Sequence, residues 1–179
     1  MRRVIESTLV SLDGVTEAPG AWTGDYFDGE AAQLATEQLT ASDAMLMGKR
    51  TYEMFAAMWP AMTGAYADQM NSIRKYVFSS TLKQPEWDNT SIIGGDVVTE
   101  VSALRRQDGQ DLVIYGHGLL GQTLLAHHLL DELRLWIHPL IVGTGGLFFR
   151  AGEKATLGLT GTKTLQNGVV ILTYQPAGT

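Results

Sequence analysis

The chain contains no cysteine among its 179 residues, which excludes disulfides and thiolate-bound zinc. It also lacks any excess of positive charge. Thirteen Lys and Arg stand against 19 Asp and Glu, for a net charge of -6, a balance that disfavours nucleic acid and anionic membranes as partners. No apolar run approaches the ~20 residues of a bilayer-spanning helix, and Met1 to Ser7 has no signal-peptide core. A cytoplasmic protein is expected. Internal repeats, low-complexity tracts and linkers are missing too, so residues 1–179 read as one domain large enough for a proper core. The four histidines supply no metal chelate. His127 and His128 are adjacent and would point about 100° apart on a helix, unlike the i, i+4 pair that grips zinc.

What is present is most informative over residues 111–121. An apolar run ends at Tyr115, and Gly116, Gly118 and Gly121 follow with the spacing GxGxxG before an apolar helical segment. Glycine lets backbone approach a ligand closely, and a helix N-terminus offers free N–H groups to phosphate. The usual dinucleotide fingerprint nevertheless wants an acid about 20 residues on. Asp131 and Glu132 come too early for that, so a different architecture must present the turn.

Strand and helix patterns alternate along the chain. Strands are expected at Val4 to Val10, Ala44 to Met47, Tyr76 to Phe78, Ser91 to Ile93, Leu112 to Tyr115 and Leu133 to His138. Helices are expected over residues 29–41, after Thr51 as cap to Trp59-Pro60, over Val97 to Arg105, and from the glycine turn to about Leu130. Leu12 to Gly24 reads as a long functional loop. Leu157 to Lys163 and Val169 to Tyr174 form a hairpin around Gln166-Asn167-Gly168. The alternating strand of residues 133–138 places Arg134, Trp136 and His138 on a polar-tolerant face, with His138 near the surface. The whole predicts an α/β fold with a mixed sheet flanked by helices.

Ligands of such sheets bind beyond the carboxyl ends of strands. Three ends here carry phosphate-binding groups: Gly48-Lys49-Arg50-Thr51, Ser79-Ser80-Thr81 and the glycine turn. Each alone has an ordinary reading as a surface turn. Their recurrence at one end of a sheet points to a shared dinucleotide site.

Taken in order, Ser11-Leu12-Asp13-Gly14, Met47 to Glu53, Tyr76 to Leu82, Gly116 to Leu120, Leu130 to Leu135 and Pro139 to Gly146 resemble the dihydrofolate reductase superfold. The similar branch contains the reductase domain of bacterial riboflavin biosynthesis, here in a stand-alone form. The resemblance implies a three-layer fold, with a mostly parallel central sheet and a C-terminal antiparallel hairpin, and NADPH as hydride donor. It makes Gly48 a cofactor-binding residue and places Lys49 at the 2′-phosphate and Arg50 and Thr51 at the pyrophosphate. Ser79 and Ser80 fall beside the adenosine ribose phosphate, and Gly116, His117, Gly118, Leu119 and Leu120 along the pyrophosphate and nicotinamide end.

The substrate half is less legible. Asp13, shared with the riboflavin-type reductases, is the candidate catalytic residue; it either contacts substrate or orders its loop. Asp25, Asp28 and Glu30 occupy the region of the folate reductases' catalytic carboxylate without matching its pattern. Trp22, Tyr26 and Phe27 either stack on a planar heterocycle or pin the loop. A ribosyl-phosphate acceptor would need further cations, for which Arg74, Lys75 and Arg150 are candidates. The expected activity is hydride transfer from NADPH to a small polar heterocycle or sugar derivative. Dihydrofolate reduction and a non-catalytic NADPH-binding module are the alternatives. Related reductases pair, so a homodimer acting on a small molecule is expected.

Overall fold

The computed structural model describes residues 1–148 and 154–177. In chain order the elements are β1 (Val4–Ser11), α1 (Gly29–Thr40), β2 (Ser42–Gly48), α2 (Lys49–Met58), α3 (Ala65–Ser72), β3 (Arg74–Phe78), β4 (Thr90–Ile93), α4 (Val97–Arg106), β5 (Asp111–Tyr115), α5 (Leu119–Ala126), β6 (Glu132–His138), β7 (Leu157–Thr164) and β8 (Val170–Pro176). The strands form one sheet in the order β4-β3-β2-β5-β1-β6-β8-β7. The first six in sequence run parallel, while β8 pairs antiparallel with β6 and β7 antiparallel with β8. No helix among the described residues is long and apolar enough to cross a membrane.

The central strands read as near-continuous apolar runs because both faces are covered. Successive residues of β2 feed opposite layers. Ala44 and Leu46 pack with Val101 and Leu104 of α4 and Leu120 and Leu124 of α5, whereas Met45 and Met47 pack with Leu39 of α1, Tyr52 of α2 and Met70 of α3. A third cluster joins Ala31 of α1 to Trp136, Leu165, Val169 and Ile171 under the hairpin. Helix entry is chemically marked. Asp28 caps α1 by accepting the Ala31 N–H at 3.0 Å, and Asp96 caps α4 by accepting that of Thr99 at 2.9 Å. Asp28 is thereby spent on structure. So is Glu30, which accepts the Gln166 N–H at 3.0 Å.

Several sequence expectations are corrected. Helix α3 has no counterpart among them, because only Ala67 and Met70 of its eight residues are buried, too few to set a period. Thr51 does not cap α2. The helix begins at Lys49 with Gly48 in the N-cap position, which puts Thr51 inside the first turn. Helix α5 stops at Ala126 rather than near Leu130, and His128 takes a left-handed conformation with φ 56°. The polar-tolerant face of β6 is covered, leaving His138 3% exposed and Trp136 6% exposed. Lys75, offered above as a cation for substrate phosphate, is fully buried. Its Nζ donates to the carbonyls of Asn71 and Ile73 at 2.8 Å and of Asp88 at 3.1 Å, and lies 4.1 Å from the Trp87 ring centroid. Arg74 stands near the amino ends of the strands, beside Ser72 and Asn89, with Nη1 3.4 Å from the Tyr76 hydroxyl. Arg150 falls outside the described residues.

Candidate functional site

The parallel arrangement brings the carboxyl ends of β1, β2, β3, β5 and β6 to one edge of the sheet. β2 and β5 are hydrogen-bonded neighbours, yet the helices that leave them pack on opposite faces, α2 against the Met45 and Met47 side and α5 against the Ala44 and Leu46 side. That is a topological switch point, where loops diverge and leave a crevice. Two helix N-termini flank it. Neither Gly48 before α2 nor Gly118 before α5 supplies a side-chain cap, so the first-turn N–H groups and the positive dipole ends remain available to an anion. A Cβ built on Gly48, Gly116 or Gly118 would meet nothing within 4 Å. The space above the turn is open. Gly116 has φ +81°, which a residue with a side chain adopts only at a cost of roughly 1–2 kcal/mol.

Lys49 and Ser79 stand together at this edge. Lys49 Nζ donates to Thr81 Oγ1 at 3.1 Å and lies 3.6 Å from Glu53 Oε1. Ser79 Oγ accepts the N–H groups of Thr81 and Leu82 at 3.2 and 3.0 Å, which folds residues 79–82 back on themselves. Ser80 is exposed beside it. Arg50 is turned toward Glu17 at 2.7 Å, and the other oxygen of Glu17 accepts the Gly146 N–H at 2.9 Å. The loop after β1, the first turn of α2 and the loop after β6 are tied through one exposed ion pair, whose energetic worth is small and whose cation can change partner. That pairing and the Gly146 N–H hold the Glu17 carboxyl below its usual range.

The residues of the glycine turn divide by environment. His117 points inward, with Nδ1 2.7 Å from Oε1 of the fully buried Glu6, and its ring packs 4.4 Å from that of Phe148. Thr8 Oγ1 donates to the same carboxylate oxygen at 3.1 Å. Leu120 belongs to the core, whereas Leu119 is 73% exposed. Toward the crevice, His117 and Leu120 therefore present backbone. Gly121, the third glycine of the motif, lies inside α5 against Glu6, where a Cβ would come within 2.2 Å of Oε2. Its role is steric, since only a residue without a side chain lets the helix pass the carboxylate. Sequence reasoning missed Glu6, although the one charged residue inside the strand pattern of Val4 to Val10 was the available signal.

Asp13 is a latch. Its Oδ1 accepts from Ser11 Oγ at 2.6 Å and Val142 N at 3.1 Å, and its Oδ2 accepts from Gly143 N at 2.8 Å. The Ser11 hydroxyl first, then the two backbone N–H groups, lower its pKa to about 2. A carboxylate so held is no proton source near neutral pH; it fixes the loop after β1 to the loop after β6. Trp22 and Tyr26 pin the same region, each meeting the buried His138 ring edge-on at 5.4 and 5.5 Å. Burial lowers the pKa of His138 below its ordinary value. Phe27 instead packs on Tyr66 at 5.7 Å and is 49% exposed.

Comparison with known proteins agrees with this architecture. The family described as the RibD C-terminal domain matches residues 2–171. The Bacillus subtilis protein YyaP is 31% identical over 97% of this chain and 94% of its own length. A solved structure described as a riboflavin biosynthesis protein, from a Shewanella species, superposes with a TM-score of 0.75 at 19% identity, covering 97% of this chain and 98% of that one. The Thermotoga maritima diaminohydroxyphosphoribosylaminopyrimidine deaminase/5-amino-6-(5-phosphoribosylamino)uracil reductase gives 0.69 at 13% identity, over 98% of this chain and 57% of its own. The fold is that of the dihydrofolate reductase-like group, and the chain belongs to the RibD C-terminal domain family, resembling the aminouracil reductases of riboflavin biosynthesis.

Proposed function

We propose that this chain is an NADPH-dependent reductase that acts as a single cytoplasmic domain and passes a hydride to a C=N or C=O bond of a small polar heterocycle or sugar derivative. The observation that carries the reading is the pair of uncapped helix N-termini on either side of β2 and β5, with Lys49 and Arg50 on the first turn of one. Gly48, Arg50 and Thr51 would hold the pyrophosphate from the α2 side. Gly116, His117, Gly118, Leu119 and Leu120 would hold it from the α5 side, through backbone. Ser79 and Ser80 would meet the adenosine ribose, and Lys49 the 2′-phosphate, a dianion that demands a cation where NADH would favour an acid. Bound there, NADPH supplies the hydride, and the chain's own residues bind, orient and exclude water. Asp13 is in this reading a positioning residue that holds the loop after β1 closed.

The test is titration with NADPH and NADH followed by tryptophan fluorescence. Lys49→Glu is expected to weaken NADPH at least tenfold and to leave NADH within twofold. Equal losses would remove the 2′-phosphate role, and no binding of either nucleotide at millimolar concentration would remove the reductase reading.

A homodimer is part of the proposal. Leu119, Ile141, Leu147 and Leu159 are 73%, 73%, 56% and 56% exposed, apolar surface that a second copy would cover. Light scattering at micromolar concentration is expected to give twice 19.5 kDa; a monomer mass would retire the idea.

A further inference from the structure

Strand β1 buries a carboxylate that the packing of the sheet does not require. Alternate residues of a strand share a face, so Val4, Glu6, Thr8 and Val10 all point into the α4–α5 layer, where Val4 and Val10 belong to the apolar cluster. Glu6 is flanked in the sheet by Ile114 of β5 and Leu133 of β6, both members of that cluster. Its Oε1 meets the Thr8 hydroxyl and His117 Nδ1, while Oε2 is buried without a hydrogen-bond partner. A leucine or methionine at this position would pack among the same neighbours and leave no oxygen unmet. Burial alone does not account for the acid.

What the carboxylate reaches is the glycine turn. His117 stands between Gly116 and Gly118, the two glycines above which the space is open. Strand β1 holds this turn at two adjacent points. Ser7 O accepts the Gly116 N–H at 3.0 Å, and Glu6 Oε1 lies 2.7 Å from His117 Nδ1. The second contact decides where the imidazole lies. Bonded to Glu6 and laid 4.4 Å from the Phe148 ring, the side chain is turned inward and only 6% exposed. Without the carboxylate, Nδ1 would face apolar side chains, and a polar nitrogen left dry among them is destabilising. Water is available on the other side, over the two glycines, in the space assigned above to the pyrophosphate. An imidazole swung there would stand in the cofactor's path, on a stretch of turn whose flanking residues carry no side chain.

We propose that Glu6 is a positioning residue of the nucleotide site that acts through His117: it holds the imidazole inside the α4–α5 layer and keeps the crevice face of the glycine turn bare backbone. The inference rests on the reductase reading and deepens it, because it gives a role in cofactor binding to a residue that never touches the cofactor. NADPH and NADH share the pyrophosphate, so the effect falls on both alike, in contrast to that of Lys49.

The experiment titrates the full chain with NADPH and NADH, in the wild type and three variants, with near-ultraviolet circular dichroism checking the fold of each. Glu6→Gln keeps an acceptor oxygen for His117 and Thr8 and is expected to bind NADPH within threefold of the wild type. Glu6→Met keeps the stem without an acceptor oxygen and is expected to weaken both nucleotides at least tenfold. Adding His117→Ala to Glu6→Met is expected to recover at least fivefold of that loss, because the loose imidazole does the harm. A carboxylate with a merely structural role predicts no recovery in the double variant. That result overturns the proposal, as does an unchanged affinity in Glu6→Met or a loss confined to NADPH. If Glu6→Met does not fold, the wild type labelled with 15N decides. A slowly exchanging His117 Nδ1–H signal, assigned by its loss in His117→Ala, is expected to persist when NADPH saturates the protein; its absence from the free protein, or its loss on adding NADPH, overturns the proposal. A wild type that binds neither nucleotide sinks the reductase reading and this inference with it, whereas a wild type that binds and variants that do not differ from it sink this inference alone.

Discussion

Gly121→Ala is expected to destabilise the protein by about 3 kcal/mol, whereas Gly118→Ala, three residues earlier in the same motif, leaves stability within ~0.5 kcal/mol. The two glycines look equivalent in sequence and differ in what surrounds them. At Gly118 the backbone is extended and a Cβ meets open space. At Gly121 a Cβ would stand 2.2 Å from Glu6 Oε2, 3.1 Å from its Cδ and 3.2 Å from His117 Nδ1. Alanine gains up to about 1 kcal/mol of helix propensity there. Against that, overpacking costs roughly 1–3 kcal/mol, and displacing a fully buried carboxylate from its histidine partner costs roughly 3–5 kcal/mol when complete. The carboxylate is the end of a side chain and yields part of the way, so the net falls between these limits. For a chain of this length the shift in Tm is on the order of 6–12 °C. Calorimetry of both variants decides it: an unchanged Tm for Gly121→Ala would show that Glu6 moves freely and that no steric role exists. The complementary result belongs to the nucleotide. Gly118→Ala is expected to weaken NADPH at least tenfold, because the methyl group occupies the open side of the α5 N-terminus.

Lys75→Met is expected to cost about 2 kcal/mol at pH 7, or roughly 4–8 °C in Tm, through a different mechanism. The ammonium closes the end of α3 by donating to the carbonyls of Asn71 and Ile73, and ties in the strand-entry loop through Asp88. Methionine fills the volume and packs on Trp87 but donates nothing, so three carbonyls lose their partner. The removed desolvation cost of the charge offsets part of that loss. The same burial produces a pH signature. Desolvation pulls Lys75 down from 10.5 to about 8. Between these values the unfolded chain binds the proton more tightly than the native one, so unfolding free energy rises as pH climbs from 8 to 10.5. Urea denaturation from pH 8 to about 9.5, below the ionisation of tyrosine in the unfolded chain, is expected to show the rise in the wild type and a flat profile in Lys75→Met. A flat wild-type profile would mean that the carbonyls and the ring of Trp87 fully compensate the burial.

The parts of this protein that were legible in its sequence are those with local chemistry. Strand β5 and its glycine turn announced themselves through an apolar run followed by residues that only a tight turn needs. The closing hairpin did so through Asn167-Gly168, where Gly168 takes φ +90°. The parts that stayed hidden depend on neighbours far along the chain. Lys75 reads as a surface cation until Asp88 and Trp87 are seen to enclose it. His138 reads as a half-exposed strand residue until Trp22 and Tyr26, more than a hundred positions earlier, fold over it. Asp13 was recognised as meaningful, but its job could be seen only once residues 142–143 were brought beside it.

Strand β1 is made first and sits near the middle of the sheet, between β5 and β6. Val4 pairs with Leu112 and Ser11 with His138, so the earliest strand waits for partners more than a hundred residues away. Pairings of that sequence separation are slow to form, because chain closure must be completed before any contact rewards it. The crevice that would hold nucleotide therefore arises late and all at once, when β5 and β6 clasp β1 on its two sides. A chain truncated just before Leu130 is expected to bind neither NADPH nor NADH, even though it retains Gly48 to Thr51, Ser79 to Thr81 and the whole glycine turn. Nucleotide present during synthesis would then act on the final clasp, speeding completion of the fold rather than its beginning.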